Sequence, residues 1–285
     1  MAVVEITYRY GGAEPRPRPA SPDAARERLE RGNASFAALL AQVDAGDGGF
    51  ARHVVEVDAR ELGMGGAGAA PLQRPFAAVL GCADARVPLE LVFSEGPNDL
   101  FAVRVAGNAL GPDILGSLRY AIDHLADDLR LVAVVGHGGC GAIGAAVDTF
   151  LLPAGYLDLA GQHELRGIVE NLLPTVLSAA RVLDIVHGAD VRARAGYRAA
   201  LAELAVVLNA AIGAFTLRGE LARAGASERV GAVYGAYAID TRRIWAPAVD
   251  DSERSGLTEP PADLAGFRQL GRAAAESARI RRLLR

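Results

Sequence analysis

Cysteine is scarce in this chain, where it occurs only twice among 285 residues. Two thiols cannot build the set of disulfide bonds that holds many small secreted proteins together, so a reducing compartment is expected. Long basic blocks are also absent, and the net charge is −4. Since nucleic acids are held mainly through positive charge, the composition argues against a nucleic-acid partner.

The sequence also lacks the usual marks of secretion and membrane insertion. Glu5 stands where a secretory signal would carry basic residues before a long apolar core. The longest clearly apolar run, residues 204–217, contains Asn209 and is shorter than the roughly 20 residues that span a bilayer. We therefore expect a cytoplasmic protein without membrane association.

Apolar residues make up 51% of the chain, which is enough for one large domain or two small ones. We expect an N-terminal arm with helices in residues 1–43 and a linker rich in glycine and alanine in residues 44–72. Residues 73–248 are expected to form an α/β domain that includes a mainly helical segment, residues 151–226. Residues 249–285 are expected to form a basic tail.

Short apolar runs alternate with helical patterns in the middle of the chain. Residues 76–80 and 131–135 are apolar throughout, as strands are when both faces of a parallel sheet are covered. Helices are expected over residues 112–127 and 140–150. This alternation favours parallel pairing with right-handed crossovers. The predicted fold class is therefore α/β, a mainly parallel β-sheet flanked by helices, and a last strand over residues 230–238 is expected to add antiparallel at its edge.

Local signals outside this unit give four further predictions. Residues 1–20 are expected to be an extended or mobile arm, because proline alternates with arginine near their end. Pro22 predicts the first turn of a helix that is interrupted at Gly32 and Asn33. Pro174 predicts a kink or a restart within a long helical segment. Residues 262–285 predict an amphipathic helix that docks on the protein's own oligomer; the alternatives are a frayed end and, as a distant third, a helix on a membrane surface.

Both cysteines and one of the five histidines directly follow two of the predicted strands. Cys82 follows the first strand, and His137 and Cys140 follow the second. Because open α/β sheets place their sites at the carboxyl ends of the strands, these side chains can converge. Two thiolates and an imidazole suit zinc and leave its fourth position open. The spacing alone also allows two buried thiols that act as small apolar side chains, or a glycine-rich loop that binds an anion at a helix start.

Several segments, in the same order along the chain, resemble the β-class carbonic anhydrases. Residues 82–88 and 137–142 resemble the first and second zinc motifs of that family. Residues 99–108 resemble its second strand and the following loop, and residues 116–121 resemble the start of its next helix. The resemblance extends from about residue 73 to residue 147. It implies the β-carbonic anhydrase-like fold, an N-terminal helical arm that packs across a partner subunit, and a homodimer or an oligomer built from dimers. The helical stretch after residue 150 and the basic tail are not part of the shared core, so they are expected to add extra C-terminal helices to it.

The resemblance also implies a reaction. Zn2+ would be held by Cys82, His137 and Cys140, and a zinc-bound hydroxide would add to carbon dioxide to give bicarbonate and a proton. Asp84 would accept a hydrogen bond from that hydroxide. Arg86 would keep Asp84 ionised and directed away from the metal.

Two more residues are implied to contact the substrate, and two positions depart from the family pattern. Gln73 stands at the offset before Cys82 at which plant members carry a glutamine whose amide donates to a substrate oxygen. Gly107 matches a loop glycine near the site. Ala85 stands where many members have serine, and Gly138 where many have serine or threonine. Neither is a ligand position, but the loss of two hydroxyls can change the hydrogen bonds around a metal.

Two other functions stay open from the sequence. A related zinc hydrolase that acts on a linear molecule such as carbon disulfide would share every ligand and differ in its access route. A non-catalytic zinc protein that serves assembly or binding would have Asp84 closing the fourth position. The pairing of Asp84 with Arg86 favours an enzyme, because a purely structural zinc site does not need it.

Overall fold

The computed structural model describes residues 3–10, 16–44, 50–62, 70–125, 127–159 and 161–285. The strands within these ranges are β1 Val3–Tyr10, β2 Phe50–Val57, β3 Ala77–Gly81, β4 Leu100–Arg104, β5 Leu131–His137, β6 Gly231–Ala238 and β7 Arg243–Trp245. The helices are α1 Pro22–Asp44, α2 Leu89–Val92, α3 Pro112–His124, α4 Gly141–Leu151, α5 His163–His187, α6 Tyr197–Arg223, α7 Leu264–Glu276 and α8 Ala278–Leu283.

The main sheet has five strands in the order β4-β3-β5-β6-β7. β3 pairs in parallel with both β4 and β5, and β5 pairs in parallel with β6. The predicted α/β class is thereby confirmed. The antiparallel orientation predicted for the last long strand is wrong, since α5 and α6 return the chain to the starting edge before β6. The antiparallel strand is the short β7, which follows β6 through a tight turn.

Helices cover both faces of the central strands, which explains why every residue of β3 and β5 is buried. Alternate residues of a strand point to opposite faces. Ala78 and Leu80 pack into the cluster that contains α5, α6 and the C-terminal helices. Ala77 and Val79 pack into the cluster that contains α1 and α2. The faces of β3 and β5 are therefore filled by packing, and a functional site can form only in the loops at the ends of these strands.

α1 runs unbroken through Gly32 and Asn33, so the predicted interruption is wrong. A Cβ atom built on Gly32 would lie 1.7 Å from the carbonyl oxygen of Phe93, which shows that glycine lets α1 pack directly against that backbone. Asn33 donates to the carbonyl oxygens of Val92 and Arg242, at 3.2 Å and 3.0 Å. Both residues make contacts with distant parts of the chain. Their local propensities predict a helix end, because glycine and asparagine are poor helix formers.

The predicted arm and linker each contain a strand. β1 and β2 pair in parallel, from Val3 opposite Phe50 to Tyr10 opposite Val57, and form a separate two-stranded sheet. The prediction of a loop is therefore wrong for β2. Of the two conformations predicted for the arm, the extended one is confirmed for β1, which is a paired strand. Neither segment is clearly apolar, so their composition does not predict strands; they form strands because they pair with each other. The rest of the proposed linker lies partly outside the described residues, and the domain boundaries stay a prediction.

The C-terminal half packs long helices onto one face of the sheet. α5 continues through Pro174 from His163 to His187, so the helix does not restart there. Within the described ranges α6 alone is long and apolar enough to span a membrane, because the helix extends beyond the apolar run at residues 204–217. However, 78% of its most apolar stretch is buried inside the fold. α7 and α8 dock on the protein's own chain through Leu270, Ile280 and other side chains, which excludes a frayed end.

Candidate metal centre

Cys82, His137 and Cys140 converge at the carboxyl edge of the main sheet. Gly81 pairs with Val135 in the register of β3 and β5, so the residues that follow these strands lie side by side. The ligand atoms of the three residues, two sulfurs and an imidazole nitrogen, all lie within 4.8 Å of one another, and all three residues are buried. The structure thus brings together the three predicted ligands in an arrangement that could hold a metal ion.

Local backbone geometry aims the second pair of ligands. His137 is the last residue of β5, and Cys140 is the N-cap residue of α4. Gly139 between them has φ of 64°, a left-handed conformation that glycine adopts without strain. The tight turn from strand to helix therefore directs both side chains to one point.

The His137 ring has its two nitrogens in different environments. Nδ1 lies 3.0 Å from the carbonyl oxygen of Gly138. A carbonyl only accepts, so Nδ1 carries the proton and Nε2 presents a lone pair. Nε2 is buried and has no hydrogen-bond partner. A metal ion would satisfy this atom, because neutral imidazole is a common zinc ligand whose second nitrogen typically donates to a carbonyl or carboxylate.

The Cys82 sulfur is surrounded by hydrogen-bond donors. It lies 3.9 Å from the Cys140 sulfur and accepts from the backbone N–H groups of Asp84 at 3.4 Å and Gly107 at 3.3 Å. The Cys140 thiol makes the largest contribution that lowers the pKa of Cys82, these N–H groups add smaller ones, and burial opposes them. The neighbouring Cys82 sulfur and burial raise the pKa of Cys140. A cation bound beside both sulfurs would allow both thiols to ionise.

The sulfur separation fits zinc. Two thiolates about 2.3 Å from one tetrahedral ion would stand about 3.8 Å apart, and the observed separation is 3.9 Å. The two cysteines are free, and no disulfide joins them, since its sulfurs would stand near 2.05 Å. Three such ligands leave one tetrahedral position to water or substrate, as catalytic zinc sites do.

Asp84 and Arg86 form a two-pronged ion pair beside the cluster. Asp84 Oδ1 accepts from Arg86 Nε at 2.9 Å and from its backbone N–H at 2.9 Å, and Oδ2 accepts from Nη2 at 2.7 Å. The guanidinium holds the pKa of Asp84 well below its usual range. Asp84 Oδ2 lies 3.8 Å from His137 Nε2, which places an ionised acceptor next to the three ligand atoms.

Two residues that the sequence did not single out hold this edge in place. Arg104, the last residue of β4, donates to the carbonyl oxygens of Cys82 at 3.0 Å and Asp84 at 2.6 Å. Asn209 of α6 donates to the carbonyl oxygen of Gly107 at 3.0 Å. The sequence offered two signals for these residues: Arg104 is an arginine at the end of a strand, and Asn209 is a single amide in an apolar helix.

Gly107 and Gln73 occupy different places. Gly107 sits at φ of 65°, and its N–H contacts the Cys82 sulfur, so it shapes the ligand cluster directly. Gln73 is exposed and precedes β3, whereas Cys82 follows it, so the two lie at opposite edges of the sheet. Gln73 lines a surface cavity with Phe101 and Tyr120. The structure does not bring Gln73 to the metal-ligand cluster of its own chain.

The chain is similar in sequence to known carbonic anhydrases. The family described as "Carbonic anhydrase" matches residues 77–234. Carbonic anhydrase 2 of Mycobacterium tuberculosis is 36% identical over 164 residues, which cover 56% of this chain and 67% of the relative. The carbonic anhydrase of Mycolicibacterium smegmatis is 35% identical over 160 residues, which cover 55% and 66%.

A solved structure gives a weaker likeness. The crystal structure of the β-carbonic anhydrase CafA of Aspergillus fumigatus covers 84% of this chain and 92% of its own, at 19% identity and a TM-score of 0.46. The sequence match is the stronger finding, since it spans more than half of the chain and includes every motif at the sheet edge. On that match, the chain belongs to the β-class carbonic anhydrase family.

Proposed function

We propose that the protein catalyses the reversible hydration of carbon dioxide to bicarbonate and a proton. The observation that carries the proposal is the cluster of Cys82, His137 and Cys140, with ligand atoms within 4.8 Å, in a chain of this family. These three residues would hold Zn2+. When bound, zinc supplies Lewis acidity, which brings the pKa of water at its open position to near neutrality.

Asp84 is proposed as the group that orients the attacking water. Water that adds to the carbon of carbon dioxide must point a lone pair at that carbon, so its hydrogen must be held elsewhere. Asp84 Oδ2, 3.8 Å from His137 Nε2, is an acceptor at the right place. The low pKa of Asp84 keeps it ionised across the neutral range. Arg86, fixed by a further contact of 3.3 Å to the carbonyl oxygen of Gly139, keeps the carboxylate in one orientation.

Neither alternative function has a supporting contact among the described residues. A closed, non-catalytic site would need Asp84 as a ligand, but both of its oxygens accept from Arg86. A preference for carbon disulfide would depend on the access route, and no described contact favours it over carbon dioxide.

A dimer would give Gln73 a role. Gln73 cannot reach the cluster of its own chain, so a contact with substrate requires a second copy. The surface beside it carries Tyr120, which is 48% exposed, and β4, which has no partner on its outer side among the described strands. We propose a homodimer or dimer-based oligomer through this edge, which light scattering on the intact protein tests. A cytoplasmic location stays a prediction.

The decisive experiment is stopped-flow hydration of carbon dioxide by the purified, zinc-loaded protein across pH. We expect saturable turnover that is lost in Cys82→Ser, and parallel assays with carbon disulfide show which substrate is used. A wild-type protein that holds one zinc ion per chain but hydrates carbon dioxide no faster than buffer would refute the proposed activity.

A further inference from the structure

A buried ion pair lies directly beneath the loop that joins the proposed ligands His137 and Cys140. Glu203 of α6 accepts from Arg279 of α8, with 2.5 Å between Oε1 and Nε. Their side chains are only 8% and 18% exposed. Arg279 also contacts Asp240 Oδ1 at 3.3 Å, and its guanidinium lies 5.6 Å from the centre of the Trp245 ring. Arg279 is thus held on several sides, in a helix outside the residues that match the family.

The pair occupies the space that a side chain at position 138 would fill. A Cβ atom built on Gly138 would lie 3.2 Å from Glu203 Oε2 and 3.5 Å from Arg279 Nη2. Gly139 needs glycine for its positive φ, but Gly138 has no such conformation. The backbone conformation of Gly138 is open to any residue, so the reason for glycine at this position is the lack of space for a side chain. This is the position where many β-class members carry serine or threonine, and here two charged side chains from distant helices fill the gap.

The Gly138 peptide, in turn, orients a proposed ligand. Its carbonyl oxygen pairs with His137 Nδ1 at 3.0 Å, and its N–H donates to the carbonyl oxygen of Tyr237 at 3.0 Å. A shift of this peptide would rotate the imidazole and move Nε2. Partners of this kind around a metal typically change its affinity by about 10- to 100-fold when they are altered.

We propose that the Glu203–Arg279 pair is a positioning element of the proposed zinc site. It supports the Gly138 peptide from below, and through it fixes the His137 ring for metal binding. Arg279 also lines a surface cleft of about 470 Å³ with Trp245 and Arg282, so it separates that cleft from the ligand loop. The C-terminal helix α8 is accordingly part of the metal centre's support. This inference rests on the proposed binding of zinc by His137.

The first test measures zinc release to a chelator from the purified, zinc-loaded protein. Glu203→Gln combined with Arg279→Met removes both charges, so no buried charge is left unpaired. We expect release to be at least about 10-fold faster. Arg279→Lys alone keeps the positive charge opposite Glu203, and should retain much of the slow release. Arg282→Met, in the same helix but with a side chain 67% exposed, is the matched control and should stay within about twofold of wild type.

A spectroscopic readout separates positioning from general stability. Cobalt loaded in place of zinc reports ligand geometry in its visible spectrum, and the neutral pair should shift those bands while Arg282→Met does not. Release rates and spectra for the neutral pair that match those of Arg282→Met would overturn the inference. If the wild type binds no zinc, the proposed function itself fails, so the two failures are distinguishable.

A second test does not depend on the folding of the neutral pair. Gly138→Ala adds a methyl group against Glu203 Oε2, so it should speed zinc release severalfold in the wild-type background. In a Glu203→Ala background the space is open, and the same methyl group should have little effect. Equal effects of Gly138→Ala in both backgrounds would show that Glu203 does not limit this position, and would refute the inference.

Discussion

Replacement of Gly107 by alanine should destabilise the protein and loosen the proposed metal site together. Gly107 has φ of 65°, and its N–H lies 3.3 Å from the Cys82 sulfur. A Cβ atom at this position would lie 2.9 Å from Leu172 Cδ1 and 3.1 Å from Ala142 Cβ. The new methyl group therefore meets two packed side chains, while the backbone is held in a conformation that L-residues disfavour.

The magnitude follows from these two effects. A left-handed conformation costs an L-residue roughly 1–2 kcal/mol. An extra methyl group in a well-packed core costs about 1–3 kcal/mol. The free energy of unfolding should thus fall by about 2–5 kcal/mol. Any shift of the loop that relieves the clash also moves the Gly107 N–H from Cys82, so zinc should be released faster.

The assay is urea unfolding, compared with Gly116→Ala as the control. Gly116 lies within α3, and a Cβ atom there has no neighbour within 4 Å. Alanine at this helical position should stabilise the protein by about 0.5–1 kcal/mol. The same substitution thus has opposite signs at the two glycines. A free energy of unfolding for Gly107→Ala equal to that of wild type would refute the reasoning.

Three further predictions concern charge and ligation. Replacement of any one of the three ligands should abolish zinc binding in elemental analysis, whereas His163→Ala should keep it. Asp84→Asn should retain zinc and lose at least about 100-fold in hydration rate, and near-normal turnover would reduce Asp84 to a structural role. Arg28→Ala removes one of two arginine partners of Glu95, whose side chain is 2% exposed, and should cost about 3 kcal/mol in the free energy of unfolding. Burial raises the pKa of Glu95, an effect that opposes its ionisation in the fold. Arg28 lowers the pKa of Glu95, so its removal raises that pKa further, while the unfolded state is common to both proteins. The stability deficit of Arg28→Ala should therefore grow as pH rises through the folded-state pKa of Glu95; a deficit that shrinks over this range in urea unfolding would contradict this.

Much of the sheet and the ligand cluster is predictable, because the signals are local. The apolar runs that become β3 and β5 are buried on both faces, so composition alone identifies them. Cys82 and His137 lie at their carboxyl ends, where parallel pairing brings residues together. The same rule explains Gln73, which precedes β3 and so lies at the other edge. The position of Gln73 in the chain already excludes it from the metal-ligand cluster of its own chain.

The remaining features depend on partners that are distant in sequence. Asn33 looks like a helix end, but its side chain binds the carbonyl oxygen of Arg242, 209 residues away. Gly138 looks like a plain departure from the family motif, but the space beside it is filled by two side chains from later in the chain. These are Glu203 and Arg279, which are themselves 76 residues apart. Local propensities carry no information on such contacts, because the contacting residues are far apart in the sequence and meet only in the folded chain.

The apolar helix α6 has a consequence for how the chain is made. It packs against β6 and the C-terminal helices as well as β5, and β6 and those helices are synthesised after it. At about 5–20 residues per second, residues 224–285 take roughly 3–12 s to be added. Throughout that interval the nascent chain carries a helix with the length and composition of a membrane span and an incomplete cover. Residues 197–223 therefore stay partly uncovered until β6 and the C-terminal helices have been added and packed against them.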